Sequence, residues 1–143
     1  METYSTKQVG VWLDQAKAYL IGMQEGNAFL MEIIESKIPR LKREEGESDD
    51  KTRFSSDSQH SSSNEFKKNQ IKTNELKSYF RKLQNKLKDF EDILIIGPGT
   101  IKDQFFNALM ENQEYDGKSI EVQTKGKFSE NQLMAYINDF FTP

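Results

Sequence analysis

Cysteine is absent from this 143-residue chain. Its absence excludes disulfide staples, thiolate catalysis and every metal site built on cysteine, and it gives no sign of an oxidising compartment. Long apolar runs are missing too, since nothing approaches the roughly 18 consecutive apolar residues that span a bilayer. The stretch from Met1 to Gly10 is polar and lacks the apolar core of a signal peptide, so a cytoplasmic protein with no membrane contact is expected. Histidine is reduced to His60. The formal net charge is only −3, so the chain as a whole lacks the positive excess of a nucleic-acid-binding protein.

What is present is enough apolar pattern for one domain, expected to span 1–143. Val9 to Leu13, Ala18 to Met23 and Ala28 to Ile34 are short runs rich in aliphatic, β-branched or aromatic residues and predict three strands. Gln15-Ala16-Lys17 and Glu25-Gly26-Asn27 supply tight turns, so the three strands make an antiparallel meander. Leu76, Tyr79, Phe80, Leu83 and Leu87 recur at helical spacing and predict a helix from about Thr73 to Lys88. Ile93 to Ile96 is a continuous apolar run closed by Gly97-Pro98-Gly99, the mark of a strand buried on both faces. Thr100 is placed to cap a second helix that buries Ile101, Phe105 and Leu109 and ends near Asn112. Ile120 to Gln123 predicts a fifth strand. Ser129 with Gln132 forms a capping box that opens a last helix, whose stripe is Leu133, Ile137 and Phe140.

The order is βββαβαβα, with no internal repeat. Right-handed crossovers set the fourth strand beside the first and parallel to it, with the fifth outside the fourth. The expectation is an α/β fold: a five-stranded mixed sheet of order 3-2-1-4-5 with helices on both faces, the ribonuclease H-like arrangement.

One segment breaks this pattern. Lys37 to Lys68 holds seven Ser, eight Lys or Arg and seven Asp or Glu, with Ile38, Leu41, Phe54 and Phe66 as its large apolar side chains. Such a composition buries too little apolar surface to offset its ordering entropy, so a long flexible loop is expected there. Basic residues gather at both ends of it: Lys37, Arg40, Lys42 and Arg43 on entry, Lys67, Lys68 and Lys72 on exit. From Lys67 to Lys88 the chain carries eight basic residues against the single acid Glu75, and Lys77 and Arg81 lie on the polar side of the predicted helix. Two positive clusters meeting at the base of a loop can hold a phosphate backbone by charge without reading sequence. A solvated helix face explains the same residues. No aromatic is interleaved with these charges, so they do not form a stacking platform.

Other candidates are weaker. Asp14 closes the first strand, where a two-metal nuclease keeps a carboxylate, but the fourth strand ends in Gly97, Pro98 and Gly99 and offers no second one. The alternative for Asp14 is a turn in which its side chain accepts from nearby backbone amides. Gly97, Gly99 and Thr100 join a strand to a helix N-terminus and could hold an anion, but they lack the Lys-Ser/Thr ending of a P-loop and fit a plain strand-to-helix turn better. His60 stands in the serine-rich segment with no rigid element to hold a nucleophile beside it. No catalytic residue, metal or cofactor is expected.

Gly10-Val11-Trp12-Leu13-Asp14-Gln15-Ala16-Lys17-Ala18, with Ile93 to Gly99 and Ser129-Glu130-Asn131-Gln132 downstream, resembles a family of small bacterial translational machinery proteins. That family in turn resembles the middle domain of eukaryotic and archaeal peptide-chain release factors and of Pelota. In the release factors the loop between third strand and first helix carries a Gly-Gly-Gln tripeptide. This chain has no such tripeptide, and Gly46 is the single glycine of its loop. The resemblance therefore implies the fold and a partnership with ribosome, tRNA or a translation factor, without peptidyl-tRNA hydrolysis. A degenerate nuclease centred on Asp14 and a structural or oligomeric scaffold are the alternatives, and the sequence leaves the oligomeric state undetermined.

Overall fold

The computed structural model describes residues 7–38 and 58–142, with 58–69 as helical backbone. Five strands form one sheet: β1 (Gln8–Leu13), β2 (Lys17–Gln24), β3 (Asn27–Glu35), β4 (Asp92–Gly97) and β5 (Ser119–Thr124). Among the described residues three full helices accompany them, α1 (Ser58–Leu87), α2 (Ile101–Met110) and α3 (Glu130–Phe141), with a 3₁₀ turn at Gln113–Tyr115. The strand order is β3-β2-β1-β4-β5, as the alternation of elements predicts. β1 pairs antiparallel with β2 and parallel with β4, and β4 pairs parallel with β5. Each strand runs a residue or so past its apolar run, to Gln24, Glu35 or Thr124 for example, because ladder hydrogen bonds need backbone and not apolar side chains.

β1 and β4 are the centre of the core. Val9, Val11, Leu13, Ile93 and Ile95 point to one face, where Tyr79, Leu83 and Leu87 of α1 and Phe105 and Leu109 of α2 cover them. Trp12, Leu94 and Ile96 point to the other, where Leu133 and Ile137 of α3 pack. The continuous apolar run of β4 is thus explained by helices on both sides. Phe140, expected on the α3 stripe, is only partly buried against this second cluster. Glycine makes two of these contacts possible. A Cβ on Gly10 would meet Ile137 Cδ1 at 2.3 Å, and one on Gly97 would meet the Leu13 carbonyl oxygen at 2.4 Å.

Two helix starts differ from expectation. α1 begins at Ser58 rather than at about Thr73, so the part of the anticipated loop from Ser58 to Lys68, including His60, is helical. Its first turns carry almost no apolar residues in sequence, and a helix held by its own i→i−4 bonds leaves no hydrophobic stripe to read. Residues 39–57 lie outside the described residues. At α2, Thr100 makes no side-chain cap, because its φ of −94° and ψ of −7° are already helical, whereas a capping side chain needs an extended backbone. The Ser129–Gln132 capping box of α3 is formed in full.

β3 is an edge strand with an irregular register. Ile21 pairs with Leu30 and Leu20 with Glu32, so Met31 has no partner across the ladder and forms a bulge. Phe29, Met31 and Ile33 are 41%, 39% and 41% exposed. Glu32 reaches Lys86 of α1 at 3.1 Å, a surface pair that contributes little.

Two buried tyrosines tie α1 to its neighbours, one at the end of β1 and one in the 3₁₀ turn. The Tyr79 hydroxyl donates to the Asp14 carbonyl oxygen at 3.0 Å, and burial pushes its pKa up. The Tyr115 hydroxyl donates to the Gln84 carbonyl oxygen, and burial, helped by Glu114, pushes it from 10.0 to about 12. A fold that keeps a hydroxyl protonated binds more protons than the unfolded chain between those two values, so stability falls as pH rises through that window. Chemical denaturation from pH 9 to 12 is expected to show this decline. Tyr115→Phe should flatten part of it while lowering stability at neutral pH by about 1 kcal/mol for the lost hydrogen bond.

Gly97→Ala must push a backbone carbonyl aside and should destabilise by roughly 1–3 kcal/mol. At Gly99 a Cβ meets nothing within 4 Å, so Gly99→Ala should stay within about 0.5 kcal/mol of the parent in the same urea melts.

Candidate nucleic-acid interface

The carboxyl ends of β1 and β4 collect the residues of interest. At this end Asp14 turns the chain from β1 into β2. Its Oδ1 accepts from the Ala16 amide at 2.8 Å and the Lys17 amide at 2.9 Å, while its own amide donates to the Lys17 carbonyl oxygen at 3.0 Å. The short connection between two antiparallel strands requires such an acceptor, and aspartate supplies it. Among the described residues no three His, Cys, Asp or Glu side chains come together as a metal-holding group. Asp14 is a turn residue in this geometry.

The Gly97-Pro98-Gly99-Thr100 corner lies alongside. Gly97 is buried under the Leu13 carbonyl oxygen, which gives it a packing reason independent of any anion. Gly99 and Thr100 are exposed. Lys102 is 3% exposed, and its Nζ donates to the Gly99 carbonyl oxygen and pairs with Asp103 Oδ2 at 3.0 Å. The ammonium thus braces the corner from within the first turn of α2.

The end of β3 comes to the same place. The Ser36 amide donates to the Ala16 carbonyl oxygen at 2.8 Å, and the Lys37 amide donates to Glu75 Oε2 of α1 at 3.1 Å. Tyr79 at Asp14 and Lys86 at Glu32 fix the direction of α1 across the sheet. Continued toward its N-terminus, α1 runs on from Glu75 to Ser58, about 25 Å at 1.5 Å per residue. Lys67, Lys68 and Lys72 stand on that extension, and exposed Lys37 stands at its root. Arg40, Lys42 and Arg43 lie outside the described residues.

The remaining basic residues of α1 do not share one face. Lys77 and Arg81 line an open groove of about 780 Å³ against the end of α2, opposite Glu111 and Glu114. Lys82 and Lys86 line another on the β3 side, with Glu32 and Glu35. The buried stripe of Tyr79, Leu83 and Leu87 separates the two rows. The sequence groups these cations by position in the chain, and the helix then parts them by their angle around its axis.

Sequence reading also passes over Lys17, Lys125 and Lys127. Lys17 Nζ lies 5.4 Å from the centre of the Tyr19 ring, and a hydrogen bond with the Tyr19 side chain, together with its charge, raises the Lys17 pKa. Lys125 Nζ lies 5.2 Å from the centre of the Tyr136 ring. These lysines come from β2 and the β5–α3 connection, and the strand order is the one signal that brings the two segments to a common end.

A five-stranded mixed sheet of this order with helices on both faces is the ribonuclease H-like class of α/β fold. Within it, the chain is similar to Pelota from Archaeoglobus fulgidus, with a TM-score of 0.58 at 12% identity over 94% of this chain and 31% of that one. It is similar to Pelota from Thermoplasma acidophilum, with a TM-score of 0.53 at 15% identity over 91% of this chain and 31% of that one. An archaeal translation termination factor aligns at a TM-score of 0.49, with 12% identity, over 88% of this chain and 32% of that one. The chain thus spans about a third of the length of the two Pelota proteins, in keeping with a resemblance to one of their domains. No protein-family model and no curated protein matches the sequence. Among the described residues no helix is long and apolar enough to cross a membrane.

If Asp14 serves the turn, Asp14→Asn keeps an acceptor and should change stability by less than about 0.5 kcal/mol, while Asp14→Ala loses both bonds and should lower it by roughly 1–2 kcal/mol. Urea denaturation of the two variants checks this. A magnesium-dependent RNA cleavage that vanishes in Asp14→Asn would instead reinstate Asp14 as a metal ligand.

Proposed function

We propose that the protein is a non-enzymatic, translation-associated module in the cytoplasm that contacts ribosome, tRNA or a translation factor through the base of its 37–68 segment. The observation that carries this reading is the convergence of Lys37 with the helix bearing Lys67, Lys68 and Lys72 at one end of the sheet. The Pelota-like fold supports the choice of partner. Arg40, Lys42 and Arg43 adjoin Lys37 in sequence and are assigned to the same contact. Lys77 and Arg81 belong to it less directly, since Glu111 and Glu114 face them across their groove.

The contact is one of charge with phosphate and carries no base reading of its own. Hydrolysis of peptidyl-tRNA is not part of the proposal, because the chain has no Gly-Gly-Gln. The anion site at Gly97, Gly99 and Thr100 is not needed either.

Co-sedimentation with purified 70S ribosomes at low salt tests the proposal. Binding is expected, and it should weaken steeply between 50 and 200 mM salt, by roughly tenfold or more for a few phosphate contacts. Changing Lys67, Lys68 and Lys72 together to Glu should abolish it at the lower salt. Ribosome binding that survives this triple change, or no binding at all, overturns the reading.

A further inference from the structure

A cleft of about 360 Å³ opens beside Asp14, on the α3 side of the sheet. Its size falls in the range of small-molecule sites, roughly 300–1,000 Å³. Three of its walls are aromatic: Trp12 from β1, Tyr19 from β2 and Phe128 from the β5–α3 connection. Trp12 and Tyr19 meet edge to face, with ring centres 5.9 Å apart, and Phe128 leans on Tyr136 at 5.4 Å. The Trp12 indole donates to the Gly126 carbonyl oxygen at 3.3 Å, which fixes the ring against the same connection. Lys17 and Lys127 stand at the cleft together with Asp14 and Glu130.

We propose that this cleft binds one unstacked nucleotide of a single-stranded RNA, the base against the aromatic walls and its phosphate at Lys17 and Lys127. The composition favours this occupant over simpler ones. A bare phosphate makes no use of three rings. An arginine or methylated lysine from a protein partner suits rings and carboxylates but makes no use of the two ammonium groups. A nucleotide carries a flat π-face, an edge with amino donors and a negative phosphate, and so employs all three kinds of side chain. Both turn bonds of Asp14 end on Oδ1, which leaves Oδ2 for an exocyclic amino group, as carboxylates accept from cytosine N4. Lys37 and this cleft lie at the same end of the sheet.

The inference extends the translation-associated reading, but its test needs no ribosome. Trp12 is the chain's single tryptophan, so intrinsic fluorescence reports the cleft directly. Ten-nucleotide oligo(C) and oligo(U) are titrated into the full chain at 50 mM salt. Saturable quenching by oligo(C), with weaker binding of oligo(U), is expected. Phe128→Ala should weaken oligo(C) binding by roughly 5- to 150-fold through loss of a stacking wall. Lys127→Glu, at an exposed position that leaves packing intact, should weaken it by at least about threefold and flatten its salt dependence. Absence of saturable quenching up to 1 mM oligo(C) overturns the proposal. So does wild-type affinity in Lys127→Glu, or quenching by an arginine-rich or trimethyl-lysine peptide with none by RNA. Ribosome binding that persists while the cleft stays silent to RNA refutes this inference and leaves the previous one standing.

Discussion

The approach of β1 to β4 at their carboxyl ends is the constraint from which the rest of the structure follows. Gly97 lies so close to the Leu13 carbonyl oxygen that no side chain fits between them. Parallel pairing of these two strands forbids a tight turn and demands a long crossover, which α1 provides after the meander is complete. Because both strands are apolar on both faces, helices have to cover each side. The turn at Asp14, the Lys102 brace and the foot of β3 then gather at the end where the two strands meet. The position of every candidate residue is a consequence of that pairing.

The fold was legible because its signals are local and strong. Ile93 to Ile96 followed by Gly-Pro-Gly, the 3.6-residue stripe from Leu76 to Leu87 and the Ser129–Gln132 box each follow from side-chain chemistry within a few residues. The N-terminal half of α1 was not legible, since a helix without an apolar face looks like a polar loop to any reading based on burial. Thr100 misled in the opposite sense, being the right residue type with the wrong backbone. The interface was legible in part. Sequence brings Lys37 and Lys67 to the two ends of one segment, but it cannot show that Lys77 and Arg81 line one groove with Glu111 and Glu114. Nor does it join Trp12 to Phe128, which are far apart in the chain and meet only because α3 lies across β1.

The distribution of charge gives the molecule a direction. Residues of opposite charge line the two grooves along the packed half of α1, while the apolar stripe of Tyr79, Leu83 and Leu87 holds the helix to the sheet. The core contacts of the helix run from Leu76 to Leu87. The C-terminal half of the same helix builds the domain, with Tyr79, Leu83 and Leu87 in the core.

The bulge at Met31 has a consequence for how the molecule lives at high concentration. A nine-residue edge strand with three exposed apolar side chains is the kind of surface that recruits strands from other molecules and seeds aggregates. Here the extra residue breaks the ladder in the middle and bends the strand, while Glu32 and Glu35 place negative charge beside it. An incoming strand can match the register on one side of Met31 or on the other, but not across it. An apolar edge interrupted in this way offers a poorer template for strand pairing than a flat one of the same length.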